Sequence, residues 1–404
     1  MRSPLVSSIR RIVAVTAFYS FAACAGGHGG SFVPSSAPSA QARSMSPAAE
    51  ATPSNGAGAL PGNGAGALPG ASVPCTFSPS AGQANCTIAV SLRVPPIPNP
   101  ETPAALIPGL QPSDLRSMYA LPYANRGTTV AIVDAFDDPS AESDLGAYRA
   151  AFGETPCTSR NGCFKKVNQS GATGAYPAAD AAWSQEIALD VEMVSAVCPN
   201  CTILLVEANS ASVDDLGAGV DEAVRLGARV VSNSYYATEW AGETSEDVHY
   251  RHPGVAVTVS SGDQAAPFYP AASPYVTAVG GTSVAGSPGA RSETPWSYGG
   301  RGCSAYEARP SFQRAVPCRS RASVDVAAVA DPQTGVAAFS TESGGWVVAG
   351  GTSVGAPLVA AAYALGQPQG ASYAYAHPTA FHDIAPAGYD LATGLGSPNG
   401  TNGL

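Results

Sequence analysis

Residues 180–197 read Asp180-Ala-Ala-Trp-Ser-Gln-Glu-Ile-Ala-Leu-Asp-Val-Glu-Met-Val-Ser-Ala-Val197. Apolar residues recur at spacings of three and four, which predicts an amphipathic helix. Glu186 and Asp190 are four residues apart, so their carboxylates lie one above the other on one helix face. Two like charges this close oppose joint ionisation, which raises the pKa of one and lets the pair hold and pass a proton. An ordinary solvated acidic face is the alternative.

The composition of the chain argues against nucleic-acid binding. Of 404 residues, 45% are hydrophobic and 12% are charged, and the formal net charge is −10. Lysine occurs only at Lys165 and Lys166. With no basic patch, the sequence offers nothing for a phosphate backbone to bind. The hydrophobic fraction is ample for a large core, and a surface poor in charge and acidic overall suits an acidic medium.

The first residues resemble an export signal. Arg10 and Arg11 precede an apolar run over residues 12–23. This run is too short for a comfortable membrane span. It ends at Cys24 in a context that resembles a bacterial lipoprotein signal, and ordinary signal-peptide cleavage is the alternative. We therefore expect residues 1–23 to be a signal peptide and the protein to be exported, either secreted or attached to a membrane through lipidated Cys24.

The remaining eight cysteines fall into near-neighbour pairs. The pairs are Cys75 with Cys86, Cys157 with Cys163, Cys198 with Cys201, and Cys303 with Cys318. An even set of close pairs in an exported chain predicts disulfides. The Cys-x-x-Cys at Cys198 leaves zinc binding or redox chemistry as an alternative, although no second Cys/His pair stands at ligand spacing.

The N-terminal part of the chain predicts little ordered structure. Residues 24–72 are mostly Gly, Ala, Ser and Pro, with an identical eight-residue repeat at 55–62 and 63–70. Such a segment cannot bury enough apolar surface to order itself, which predicts a flexible linker. Residues 73–108 hold one cysteine pair and a proline-rich run, and we expect a short disulfide-containing lead-in. A single folded domain is expected over residues 109–404.

Apolar strands alternate with helices through this domain. Strands are predicted at 128–134, 202–208, 228–232, 254–260, 275–279 and 346–349, and helices at 110–121, 141–152, 180–197, 213–226 and 356–365. Near-continuous apolar strands alternating with helices predict an α/β fold, in which a parallel sheet is covered on both faces. Sites in such sheets form at the carboxyl ends of strands, where Asp134, Asn233 and Asp263 fall.

The strand at 346–349 runs into Gly350-Gly-Thr-Ser-Val-Gly-Ala-Pro357. This pattern predicts a tight turn that presents Ser353 at a helix N-terminus. Backbone N–H groups and the helix dipole would favour a developing oxyanion there. Pro357 suits an early helix position. A glycine turn with a capping serine is the alternative.

Three motifs in this order resemble a known family. Gly351-Thr-Ser353-x-x-x-Pro357 resembles the nucleophile signature of the subtilisin superfamily, but none of the five histidines stands in the His-Gly-Thr context that supplies a subtilisin's base. Trp183-Ser-Gln-Glu186-Ile-Ala-Leu-Asp190 and Ser260-Ser-Gly-Asp263 resemble the sedolisin family, the serine-carboxyl peptidases. The resemblance covers roughly residues 109–398 and implies a subtilisin-like, doubly wound parallel sheet flanked by helices in a single catalytic domain.

The resemblance also implies an activity and a role for each residue. The protein would be an acid-acting serine-type endopeptidase whose substrates are proteins and peptides. Ser353 would attack the scissile carbonyl and form an acyl-enzyme. Glu186 would be the general acid-base, with Asp190 tuning its proton affinity. Asp263, kept protonated, would donate a hydrogen bond to the oxyanion together with the Ser353 N–H.

Other acids and aromatics are weaker candidates. Asp134 resembles the subtilisin aspartate in position, but with no histidine to orient we interpret it as a structural carboxylate. Asp137 and Asp138, just beyond it, are interpreted as loop residues. Three aromatic residues are candidates for pocket walls or for ordinary packing: Tyr235, Trp240 and Trp296.

The family carries one structural calcium ion near its C-terminus. The matching residues in this chain are Asp383, Ile384 through its carbonyl, Gly388 and Asp390. Carboxylates and backbone carbonyls are suitable ligands for Ca²⁺. Two departures affect this site, because the loop between Ile384 and Gly388 is shorter than the family's and Pro386 falls where a glycine carbonyl is expected.

A second class of function stays open, that of a catalytically inactive, surface-tethered module of the same fold that binds peptides. The altered calcium loop, the Gln-Ala-Ala after Asp263 and the absence of a large inhibitory propeptide before Gly109 favour it. The four intact catalytic positions favour the enzyme. An α/β-hydrolase would need Gly-x-Ser-x-Gly followed by Asp and then His, which this chain lacks. We expect a monomer that binds no nucleic acid.

Overall fold

The computed structural model describes residues 68, 70–75, 79–91, 96–99, 101–123, 128–384 and 387–404. The predicted signal peptide, Cys24 and the linker up to residue 67 lie outside these ranges, so export and lipidation stay predictions. Across the described ranges, no helix combines the length and apolar character needed to cross a membrane.

Helices and strands alternate along much of the described chain. The α-helices are α1 (Pro112–Met118), α2 (Ala141–Ala151), α3 (Ala181–Val197), α4 (Val213–Arg225), α5 (Thr352–Leu365) and α6 (Ala371–Ala376). The strands are β1 (Ala71–Ser72), β2 (Asn85–Cys86), β3 (Ala89–Ser91), β4 (Thr129–Ala135), β5 (Phe164–Asn168), β6 (Thr202–Ala208), β7 (Val230–Asn233), β8 (Tyr235–Thr238), β9 (Ala256–Ser260), β10 (Phe268–Tyr269), β11 (Thr277–Ser287), β12 (Ala290–Pro295), β13 (Cys303–Ala308), β14 (Ser320–Ala322), β15 (Val326–Val329), β16 (Val336–Ser340), β17 (Gly345–Gly350), β18 (Phe381–His382) and β19 (Ser397–Pro398). Short 3₁₀-helices cover Ala104–Leu106, Glu243–His249, Ser311–Gln313 and Pro378–Ala380.

The main sheet has the strand order β12-β11-β9-β7-β4-β6-β5, and β15 also pairs with β11. All these pairs are parallel except β11 with β12. Strand β4 lies between β6 and β7, so the direction of strand succession reverses there. Open α/β sheets place their sites beyond the carboxyl ends of strands at such a reversal.

Helices cover both faces of the main sheet. Neighbouring residues of a strand point to opposite faces. On β4, Val133 faces α4, because a Cβ added at Gly219 would lie 2.7 Å from the Val133 side chain. Asp134 faces the other side, where its charge acts on Glu186 of α3. Helices α3 and α5 pack against each other on that side. The predicted doubly wound α/β architecture is therefore confirmed.

Helix α3 is more deeply buried than its sequence predicts. The prediction of an amphipathic helix is wrong, because every residue from Glu186 to Val197 is buried. The helix packs against strands β4 and β6 of the main sheet, against helix α5 and against strand β16. Its three acidic residues therefore lie in the interior rather than on a solvated face.

The fold begins before residue 109. Strand β3 joins a second sheet of order β1-β3-β17-β16, and β2 joins a third of order β10-β8-β2. Leu68 is buried in a small cluster with Trp296. The expected boundary between residues 108 and 109 thus lies inside a continuous fold. This fold also includes Leu68 and β1, which belong to the last residues of the expected linker.

All four predicted disulfides are present: Cys75–Cys86, Cys157–Cys163, Cys198–Cys201 and Cys303–Cys318. Because Cys198 and Cys201 are joined to each other, the alternative of a metal site at this pair has no support. Disulfides of this number are typical of exported proteins.

Candidate active site

Ser353 lies in the first turn of α5, immediately after β17. The helix begins at Thr352, four residues before its predicted start, with Pro357 inside it. Since a proline has no N–H, Pro357 leaves the Ser353 carbonyl without its usual helical donor. Gly351 precedes the helix with φ +98°, and a Cβ there would lie 1.7 Å from the Thr87 carbonyl oxygen. Only glycine fits both the backbone conformation and the space at this turn.

Glu186 and Asp190 project from α3 into the interior, where Glu186 lies beside Ser353. Both carboxyl groups are fully buried. Burial is the main reason that the pKa of Glu186 is well above its ordinary value, and the nearby Asp134 and Asp263 raise it further. The Ser353 hydroxyl and the Thr87 N–H act in the opposite direction. Burial, Asp134 and Glu186, in that order, raise the pKa of Asp190.

Asp263 follows β9 and is anchored to the turn that carries Ser353. Its Oδ1 accepts hydrogen bonds from the N–H and the hydroxyl of Thr352, each at 2.9 Å. Gly262 in turn donates its N–H to the Thr352 hydroxyl at 3.1 Å. Burial raises the pKa of Asp263 to about 7, against the lowering effect of the two Thr352 donors. A carboxyl group with this pKa is protonated in an acidic medium.

Asp134 belongs to the same cluster, although the sequence suggested only a structural carboxylate. It is fully buried, and neither carboxylate oxygen has a hydrogen-bond partner among the described residues. Burial raises its pKa to about 8. After burial, its charge is the largest cause of the raised pKa values of Glu186 and Asp190. In the sequence, Asp134 was marked only by its position at the end of a predicted strand. Its proximity to α3 depends on the tertiary fold.

The other candidate residues lie outside this cluster or serve packing. Asn233 donates to the Thr258 carbonyl at 3.0 Å and accepts from the Tyr235 hydroxyl at 2.8 Å, so both side chains are engaged within the core. Lys166 pairs with Asp137 and with Glu207. Trp296 is buried, and Trp240 packs edge-on against Tyr269.

Histidine does not supply a base to Ser353 in the described chain. His249 and His252 both contact Asp221, at 2.7 Å and 3.1 Å. His377 contacts the carbonyl oxygen of Tyr373 at 2.9 Å. The ionisable groups around Ser353 in the described chain are therefore carboxyl groups.

Thr87 is the site residue that sequence analysis missed. Its N–H donates to Glu186 Oε2 at 2.8 Å, and its hydroxyl contacts the hydroxyl of Ser353. The same hydroxyl lies 3.3 Å from Ser260 Oγ. No motif marks Thr87, because it reaches the site through strand pairing far from it in sequence.

The residues matched to the calcium site lie in the segment between β18 and β19. Asp383 accepts the N–H of Gly388 at 2.8 Å. Asp390 Oδ1 accepts the N–H groups of Ala392 and Thr393 at 2.7 Å and 3.0 Å, and Oδ2 contacts the Thr393 hydroxyl. The two carboxylates have the oxygen chemistry that Ca²⁺ prefers. Residues 385–386, which include Pro386, lie outside the described ranges.

Comparison with known proteins supports this fold. A family model described as the Subtilase family matches residues 170–375. The chain is 30% identical over 353 residues to Kumamolisin from Bacillus sp. (strain MN-32), covering 72% of this chain and 62% of that protein. It therefore spans less than two thirds of that relative. The structure resembles Pseudomonas sedolisin, a serine-carboxyl proteinase, with a TM-score of 0.65 at 24% identity over 72% of this chain and 96% of that one. These matches confirm the subtilisin-like fold.

Proposed function

Because the chain belongs to the subtilase family and its predicted sedolisin resemblance is confirmed, we propose that it is a serine-carboxyl endopeptidase acting on proteins and peptides under acidic conditions. One observation carries the proposal. The Ser353 hydroxyl lies in a buried site whose ionisable groups are the carboxyl groups of Glu186, Asp190, Asp263 and Asp134, each with a raised pKa.

The chemistry follows from the roles that these groups can take. Ionised Glu186 accepts the Ser353 proton while Oγ bonds to the scissile carbonyl carbon. Protonated Asp263 and the Ser353 N–H donate hydrogen bonds to the oxyanion of the tetrahedral intermediate. Glu186 then gives its proton to the leaving amine, and the acyl-enzyme is left on Ser353. Water then attacks the acyl carbon while Glu186 accepts its proton. Glu186 returns this proton to Ser353 Oγ as the bond to the acyl group breaks and the acid product leaves.

The raised pKa of Glu186 suits this double task. A carboxylate whose pKa lies far below the working pH is a weak base and accepts a proton from serine poorly, whereas a pKa near the working pH lets one group both accept and return a proton. Burial and the charge of Asp134 oppose ionisation of Glu186, which raises its affinity for the serine proton. This site needs one ionised and several protonated carboxyl groups, so we expect an acidic optimum.

The direct test is cleavage of a denatured protein and of a peptide library by the purified protein, from strongly acidic to neutral pH. We expect cleavage that is greatest under acidic conditions and is lost in Ser353→Ala. Binding of the same peptides is measured in parallel. Peptide binding without cleavage at any pH would favour the inactive peptide-binding module, and absence of both would contradict the proposed function.

We also propose that Asp383 and Asp390, with the carbonyls of Ile384 and Gly388, hold a structural Ca²⁺ ion. The ion would join two loops near the C-terminus and take no part in the reaction. Calcium should then raise the melting temperature, and EDTA should reverse the effect. Asp390→Asn should abolish the calcium response, whereas Asp221→Asn, which alters an acid elsewhere on the surface, should keep it. An equal response in both variants would exclude this site.

A further inference from the structure

Residues 85–91, which we call the cleft segment, pass between two strand edges beside Ser353. Strand β2 pairs antiparallel with β8, and β3 pairs antiparallel with β17. The registers place Asn85 opposite Tyr236, Cys86 opposite Tyr235, Ala89 opposite Gly350 and Val90 opposite Ala349. Without this segment, β8 and β17 would each present an unpaired edge. Such edges bind extended peptides by adding a strand.

Thr87 lies between these two pairings, at the catalytic groups. Its N–H donates to Glu186 Oε2 at 2.8 Å, and its hydroxyl contacts Ser353. In the proposed reaction Glu186 protonates the leaving amine. The Thr87 nitrogen therefore lies where a leaving amine would receive this proton, and by the order of the chain Cys86 would correspond to the residue on the acyl side.

The chain before Thr87 is fixed in place by a disulfide and by backbone hydrogen bonds. Cys86 is joined to Cys75, which closes a loop across residues 75–86. Each of these sulfur atoms lies within 4.8 Å of a Glu186 carboxylate oxygen. The N–H of Ala84 donates to the Ala211 carbonyl at 2.8 Å, and the N–H of Val213 donates to the Gly82 carbonyl at 3.1 Å. The cleft segment is thus held before Thr87 by these contacts, and after Thr87 by the pairing of β3 with β17.

We propose that the cleft segment is an intramolecular ligand of the substrate cleft, and that the Cys75–Cys86 disulfide retains it there, so that the folded chain is partly latent and binds peptides with reduced affinity. This inference rests on the proposed function. Since Ser353 is fully buried beneath Thr87, a peptide can bind only in the fraction of molecules whose segment has moved away. Apparent affinity falls by that fraction. The device differs from a separately folded propeptide, because strand β3 is part of the sheet that carries β17 into the nucleophile turn.

The test measures peptide binding in a background that cannot cleave. Fluorescent peptides are titrated into Ser353→Ala, and into Ser353→Ala combined with Cys75→Ala and Cys86→Ala. Opening the disulfide loop restores conformational freedom to the displaced segment, so we expect apparent Kd to fall by about 10- to 100-fold. The matched control combines Ser353→Ala with Cys157→Ala and Cys163→Ala, which opens a disulfide at β5, and should leave Kd unchanged.

Two further measurements guard against an effect of misfolding. Thr87→Ala keeps the disulfide but removes the hydroxyl contact with Ser353, and should lower apparent Kd several-fold in the same background. In the active protein, the Cys75→Ala/Cys86→Ala variant should have a lower apparent KM with the same kcat, as expected for loss of an internal competitor. The latency would be overturned if the variants with and without the Cys75–Cys86 disulfide had equal Kd values and both melted cooperatively. Binding by none of the variants would overturn the peptide cleft itself and, with it, the proposed function.

Discussion

Replacing Glu186 with glutamine should lower kcat by about 10⁴-fold at every pH, because Glu186 is the group proposed to move the Ser353 proton. Glutamine keeps the size of the side chain and can still accept the Thr87 N–H. Substrate binding should therefore change little. Steady-state kinetics on one peptide across the pH range would separate the loss of kcat from any change in KM.

Glu192→Gln is the matched control for this substitution. Glu192 lies on the same helix and is equally buried, and its Oε2 accepts the Phe339 N–H at 3.0 Å. Burial also raises its pKa well above the ordinary value, so glutamine resembles the acid form in both charge and size. We expect this variant to keep activity within about threefold. If Glu186→Gln kept a tenth or more of the wild-type kcat, Asp134 would become the candidate base.

Removing the side chain of Asp263 should lower kcat by about 10²- to 10³-fold, the usual effect of losing one oxyanion donor. The wild-type group donates only when protonated, and its pKa is about 7. Its contribution is therefore fully present in acid and is lost as the pH rises through about 7. Asp263→Asn should keep part of the activity, because the amide donates at any pH, and should remove this alkaline decline.

Asp138→Asn is the control for the pH effect. Burial raises the pKa of Asp138 to about 7 as well, but its Oδ1 accepts the Ser140 N–H rather than a group of the catalytic cluster. The variant should keep the wild-type pH profile of kcat. An alkaline decline that persists in Asp263→Asn and disappears in Asp138→Asn would reassign the titrating group.

Local signals in the sequence were enough to locate most of the core elements. Strand β6 has the predicted bounds and β4 is shifted by one residue, because both are apolar runs bounded by polar residues. Helix α3 begins after Asp180, whose side chain accepts the N–H groups of Ala182 and Trp183 at 3.0 Å each. The cysteine pairs were recognisable because each joins near neighbours in the chain.

Contacts between distant parts of the chain were not predictable in the same way. Strands β2 and β3 contain two and three residues and have no hydrophobic period long enough to recognise. Strand β5 contains the only two lysines, which concealed an otherwise buried strand. The proposed catalytic positions were visible as motifs, but the approach of Asp134 and Thr87 depends on sheet register and strand pairing. Asp134 raises the pKa of Glu186, and the Thr87 N–H lowers it.

The pairing of β3 with β17 also determines the order in which the cleft is assembled. Ala89 and Gly350 are opposite each other although about 260 residues separate them in the chain. At ordinary rates of translation, the ribosome makes β17 and the adjacent serine about 13 to 50 s after β3. The strand that fills the cleft therefore exists before the nucleophile does. A nascent molecule has no stage at which its serine lies in a finished site before this strand is present to cover it.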